Sequence, residues 1–263
     1  MATTPARSLG RTLIPLDGEV SWGCSGQGWN CCVDKDVPVR PYDVRRLAEA
    51  IGRPVQQLLD DGIVSLEWDG YGILGGWLAT RPYEGDRSAC VFYEEVIADG
   101  RRVAGLCNAH AGRPEACRAY PYQRHASGTE FEESTSLPMA AQVFDCGSCA
   151  LAERTTPRQV MLANGLTDYW RADDAYRAVA LYLHKCGLAH LSNSTYRQLP
   201  LSPAARLALW SALYTSEGTY AEALASVLDA ADALIAASGL PRSHLGGAGE
   251  PLARPDVVGM IED

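Results

Sequence analysis

No stretch of this 263-residue chain approaches the roughly 18 consecutive apolar residues that a membrane span needs. Residues 1–20 also lack an apolar run long enough for the core of a secretion signal. The expectation is a cytoplasmic protein without membrane partners, in a compartment where thiols stay reduced. A basic stripe is missing too. Lys and Arg number 23 against 32 Asp and Glu, for a formal net charge of −9 and a pI of about 5.1. Phosphate contacts need clustered cations, so nucleic acid is not an expected partner. No glycine-rich strand–turn–helix fingerprint for a nucleotide-type cofactor occurs, and there is neither an internal repeat nor a low-complexity segment. The composition, 47% hydrophobic and 21% charged, is that of a globular chain long enough to bury a core without disulfides.

Against these absences stands an abundance of cysteine, nine residues in all. Eight fall in the first 150 positions: Cys24, Cys31, Cys32, Cys90, Cys107, Cys117, Cys146 and Cys149. Thiolates are soft ligands that select zinc, copper(I) and iron–sulfur clusters. An odd total fits poorly with complete internal pairing, and adjacent cysteines such as Cys31 and Cys32 rarely bridge each other. Cysteines gathered from separate segments of a reduced chain read as metal ligands, so all eight are candidates. Cys186 lies on an apolar helical stripe and reads as a small buried hydrophobe.

The expected fold is α+β: a small cysteine-rich metal-binding domain with short antiparallel strands, followed by a helical C-terminal region. The organisation reads as an N-terminal segment (1–19), the cysteine region (20–155), a helical region (156–240) and a tail (241–263). Val44, Leu47, Ala48 and Ile51 recur at helical spacing, with Gly52 as a stop. A short helix follows over 54–60, with Pro54 in its first turn. Asp69-Gly70 and Asp99-Gly100 are hairpin turn signals between strand-like runs at 63–68 and 71–79, and at 89–98 and 102–106. A further extended segment is expected over 129–135. Helices are expected at 160–164, 173–186, 204–215 and 220–238.

The block from Cys107 to Pro121 carries the most specific pattern. Nine residues separate Cys107 from Cys117, and Gly112 with Pro114 turns the chain between them. The Cys31-Cys32 pair, the helix opened by Asp43, Cys90-Val91-Phe92 and above all Cys107-x5-Arg113-Pro114-x2-Cys117-Arg118-x-Tyr120-Pro121 resemble the YkgJ family. That family is described as a zinc- or iron-chelating cysteine-cluster domain, and the resemblance covers about residues 22–150. The family opens with Cys-x2-Cys-x2-Cys-Cys, whereas this chain has Cys24 and then Cys31-Cys32. Cys146 or Cys149 could fill the missing ligand position. The flagellin lysine N-methylase is a distant relative within the family, and that likeness implies an iron–sulfur cluster and S-adenosylmethionine chemistry.

Three functions are compatible with these residues. The first is one or two cysteine-ligated iron–sulfur clusters, of [4Fe–4S] type, in a protein that modifies a small molecule, peptide or protein side chain. The second is a zinc- or iron-binding module in which the metal holds the fold, and the Cys146–Cys149 knuckle suits zinc. The third is a thiol redox sensor using Cys146 and Cys149. Arg113 and Arg118 read first as holding the loop carbonyls, and second as contacts to a cofactor or a substrate carboxylate. His110 has ligand spacing from Cys107 but reads as a surface residue. Asp43 reads as a helix N-terminal residue. Adjacent acidic pairs such as Asp173-Asp174 read as solvated rather than as a catalytic dyad. Trp22, Trp29, Trp68 and Trp77 read as the core of a small sheet that could shield a metal site.

Overall fold

The computed structural model describes residues 12–24, 32–70, 72–120, 140–143, 149–189, 198–239 and 253–262. Its strands are β1 (Thr12–Pro15), β2 (Val20–Cys24), β3 (Pro38–Val39), β4 (Val64–Trp68), β5 (Leu74–Leu78), β6 (Thr80–Pro82), β7 (Ser88–Cys90), β8 (Tyr93–Ala98), β9 (Arg101–Cys107), β10 (Ala140–Val143) and β11 (Cys149–Thr155). Its helices are α1 (Pro41–Ile51), α2 (Val55–Asp60), α3 (Glu115–Ala119), α4 (Pro157–Ala163), α5 (Leu166–Lys185), α6 (Pro203–Thr215), α7 (Tyr220–Ala237) and α8 (Val257–Glu262). This is an α+β arrangement with short antiparallel strands. Among the described residues no helix is long and apolar enough to cross a membrane.

The strands pair as β3–β5–β4, β6–β7, β8–β9, β1–β10 and β2–β11, all antiparallel. Asp99 and Gly100 both have positive φ, and Ala98 pairs with Arg101. This is the tight two-residue turn that the sequence predicts. The Asp69-Gly70 turn is wider. Trp68 pairs with Leu74, and the Asp69 carboxylate accepts the Ile73 N–H at 2.9 Å, standing in for a backbone acceptor. The extended run expected over 89–98 breaks at Val91-Phe92. Cys90 ends β7, and β8 starts at Tyr93. Residues 129–135 lie outside the described residues.

Helix α1 forms where the sequence places it. Its Val44 and Leu47 are fully buried, and Gly52 caps it in the left-handed conformation with φ 67°. Pro54 precedes α2 as its N-cap rather than entering its first turn. Helix α5 is a turn or more longer at its start than the spacing suggests, because Leu166, Tyr169 and Trp170 are also buried. The Thr219/Glu222 capping box opens α7. In the tail, α8 packs against α5 and α7, with Val257 buried.

One continuous buried cluster takes in Val33, Leu47 and Leu74 from the cysteine-bearing half and Tyr176, Trp210, Leu224 and Val257 from the helical half. Polar groups stitch the halves together inside it. The Leu74 carbonyl accepts hydrogen bonds from both Tyr176 (3.1 Å) and Tyr214 (3.0 Å). Trp210 packs edge-on against Trp68 and donates to the Leu188 carbonyl at 3.0 Å. The guanidinium of Arg206, itself buried, donates to the carbonyls of Gly187, Ala189 and Leu199. Asp173 is not solvated as the sequence suggests. It is buried and ion-paired with Arg177 at 2.6 Å and Arg40 at 3.6 Å, because its position on α5 faces the core.

Candidate functional site

Four of the eight candidate thiols converge on one cavity. Cys32 precedes Val33, which forms an isolated antiparallel bridge with Ala89. Antiparallel pairing therefore sets position 32 opposite position 90. Asp34 fastens this junction. Its N–H donates to the Ser88 carbonyl, while its carboxylate accepts the Ser88 N–H at 2.9 Å and pairs with Arg87 at 2.7 Å. In the β8–β9 hairpin Cys107 lies opposite Tyr93, and the Asn108 N–H donates to the Phe92 carbonyl at 2.9 Å. The break at Val91-Phe92 thus brings the end of β9 back toward Cys90. Cys117 joins them from α3, and all four residues line a cavity of about 510 Å³.

The segment carrying Cys107 and Cys117 is held in place from several directions. A short 3-10 turn, His110–Gly112, lies against α1. Gly112 makes the close approach possible. A Cβ at that position would come within 2.6 Å of both the Ala50 Cβ and the Arg46 carbonyl oxygen, and within 2.9 Å of the Leu47 Cα. The Asp43 carboxylate joins α1 to α3, accepting the Arg40 N–H on one oxygen and the Glu115 N–H on the other, each at 2.7 Å. From the helical half, Trp170 Nε1 donates to the Glu115 carboxylate at 2.8 Å. Arg118 donates to the Arg113 carbonyl (2.7 Å), the Asn164 carbonyl (3.1 Å) and the Ala111 carbonyl, and its guanidinium lies 4.9 Å over the Tyr169 ring. Arg118 is therefore the loop clasp that its place in the motif suggests. Asp43 opens α1, as expected, but it also pins the Cys117 helix.

The electrostatics are those of a thiol set in close mutual reach. Burial pushes Cys117 far above the ordinary thiol range, and Cys32, Cys90, Cys107 and Asp43 each push it further, because every nearby negative charge disfavours another. Burial also raises Cys90 and Cys107. The Phe92 backbone opposes the shift at Cys90, and the Ala109 backbone and Arg113 oppose it at Cys107. These thiols are protonated near neutral pH, and holding several as thiolates together requires a compensating cation. Burial raises the Asp43 carboxyl to about 7 against the pull of its two N–H donors. His110 lines the same cavity but is exposed. The Arg113 charge lowers its pKa, with smaller contributions from burial and Arg118.

The remaining candidates stand elsewhere. Cys24 and Cys149 are register partners across β2 and β11, so their α-carbons face each other in the antiparallel pair. Cys31 and Cys146 lie outside the described residues. Cys186 is buried in the core, as a small hydrophobe. Among the described residues, no group of three or more His, Cys, Asp and Glu side chains is arranged to hold a metal ion, so what the structure brings together is a shared thiol-lined cavity. The supports that sequence reasoning missed are Glu115, Asn164 and Trp170. They act through contacts about 50 residues apart, which leave no spacing signal. Comparison with known protein families, curated proteins and solved structures finds no match.

Proposed function

We propose that this chain is a metal-binding protein whose thiol-lined cavity holds a thiolate-ligated centre, an iron–sulfur cluster of [4Fe–4S] type. The observation that carries this reading is the convergence of Cys32, Cys90, Cys107 and Cys117 from four separate segments onto one cavity. Four thiolates are the usual complement for such a cluster, and irregular sequence spacing is compatible with it. The donor set fits. It is all sulfur, the three neighbouring thiols each raise Cys117, and a bound cation would relieve that repulsion. When bound, a cluster supplies electron transfer or an electrophilic iron.

The chain's own residues do the positioning. Asp43 and Trp170 fix the start of the Cys117 helix, and Arg118 fixes the loop leading into it. Gly112 lets that loop lie against α1. Supports of this kind set ligand orientation and commonly matter about as much as the ligands themselves. The resemblance to the cysteine-cluster family points the same way, and modification of a small molecule, peptide or protein side chain is the activity it suggests.

The test is an absorption spectrum with iron, zinc and acid-labile sulfide analysis on anaerobically purified protein. A brown protein with about four irons and matching sulfide per chain is expected. A colourless protein carrying zinc alone would replace this reading with a zinc-stabilised module.

A further inference from the structure

We propose that the same cavity also binds a small anionic ligand, one bearing a carboxylate or a phosphate group, through the guanidinium of Arg113. The inference rests on the metal-centre reading in treating the thiols as one wall of a two-part site. The cavity, about 510 Å³, falls within the range of small-molecule sites, roughly 300–1,000 Å³.

The two arginines in its lining behave differently. Arg118 spends its donors on three carbonyls and its face on Tyr169. Arg113 makes one long side-chain bond, 3.4 Å to the Asn164 side chain. Its Nε is buried with no hydrogen-bond partner. Among the described residues it has no carboxylate partner. A guanidinium carries five donors in a fixed fork, and buried donors are almost always paired. That fork matches a carboxylate or phosphate with two parallel hydrogen bonds. Pro114 follows Arg113 directly, and Arg118 grips the Arg113 carbonyl at 2.7 Å, so the backbone bearing this cation is fixed. A cation on held backbone, with donors left over after one long bond and a place in the lining of an open cavity, is a ready anchor for an anion.

A competing role is thiolate compensation, since Arg113 also favours the charged form of Cys107. The two roles separate by substitution. R113K keeps the charge and loses the fork, whereas R113Q loses both.

The experiment titrates inorganic phosphate and citrate, separately, into the full-length chain by calorimetry at low ionic strength, with metal content measured on the same samples. The expected result is saturable binding of at least one probe at one site per chain. R113Q should weaken it about 10- to 100-fold, the scale of lost charge-assisted hydrogen bonds, while metal content stays at the wild-type level. Preference for phosphate or for citrate identifies which anionic group the site takes. In the wild-type protein, the bound probe should also slow modification of Arg113 by phenylglyoxal, read by mass spectrometry, which needs no variant to fold. The proposal is overturned if neither probe binds, if R113Q binds as wild type does, or if R113Q loses metal that R113K retains. If the wild-type protein carries no metal yet binds the anion through Arg113, the metal reading fails and this one stands.

Discussion

Gly112→Ala is the sharpest single perturbation of the site, because it alters no thiol and no charge. A methyl group at Gly112 would meet the Ala50 Cβ and the Arg46 carbonyl oxygen at 2.6 Å and the Leu47 Cα at 2.9 Å. Two of these three atoms belong to the α1 backbone, and α1 is anchored by the fully buried Val44 and Leu47. The helix cannot yield, so the 3-10 turn has to back away by something approaching 1 Å. Overpacking of this kind costs typically 1–3 kcal/mol. The rigid partner places Gly112→Ala toward the upper half, about 2–3 kcal/mol. For a chain of this size that lowers the melting temperature by about 4–10 °C. The displaced turn lies between Cys107 and Cys117, so on the proposed metal-centre reading metal affinity should fall as well, by about 10- to 100-fold, as when a supporting residue around a metal ligand is lost. The assay is a thermal melt monitored by circular dichroism, paired with metal content after dialysis against a weak chelator. Gly70→Ala is the control, since a Cβ there meets nothing within 4 Å. Melting of Gly112→Ala within about 2 °C of wild type, with metal retained, would refute the claim that this docking sets the site.

Three further outcomes are expected. Asp43 has its carboxyl raised from 3.8 to about 7. Between those values the folded protein keeps a proton that the unfolded chain has lost, so this group's contribution to stability falls as pH rises from about 4 to 7 and is level above that. Asp43→Asn removes the titration, and its stability relative to wild type should improve across that window, by up to about 4 kcal/mol. A difference that stays flat from pH 4 to pH 7 in denaturant melts would contradict this. Arg118→Lys keeps the charge but cannot reach three carbonyls with one ammonium, and should cost about 1–3 kcal/mol in urea unfolding. Tyr214→Phe removes one of two hydroxyls donating to the Leu74 carbonyl and leaves Tyr176 in place, so its cost should be about 1 kcal/mol. A much larger loss would mean the two tyrosines do not share the acceptor.

The parts of this fold written in local sequence were legible. Val44, Leu47 and Ala48 with Gly52 announce α1, and Asp99-Gly100 announces a hairpin, because periodicity and positive φ act within a few residues. Cys32, Cys90, Cys107 and Cys117 could be picked out by chemistry, but spacing does not reveal that they share a cavity. Their convergence depends on the Val33–Ala89 bridge and on the break at Val91-Phe92, neither of which has a sequence signature. The Asp173-Asp174 pair reads as surface charge until α5 turns Asp173 inward toward Arg40 and Arg177. Cys31 and Cys146 fall outside the described residues, and Cys24 opposite Cys149 is known only as a backbone register.

The Trp170–Glu115 and Asn164–Arg118 contacts bear on the order in which the molecule is made. Synthesis runs from the N-terminus, so Cys32, Cys90, Cys107 and Cys117 all leave the ribosome before the residues that brace them. Until α4 and the first half of α5 have emerged and docked, the Cys117 helix lacks its outer support and is held from the α1 side alone, by Asp43 and the Gly112 contact. On the proposed metal-centre reading, a nascent chain truncated near position 150 should therefore capture metal poorly even though it contains every one of these cysteines. On the same reading, loading of the centre would follow translation of the helical half.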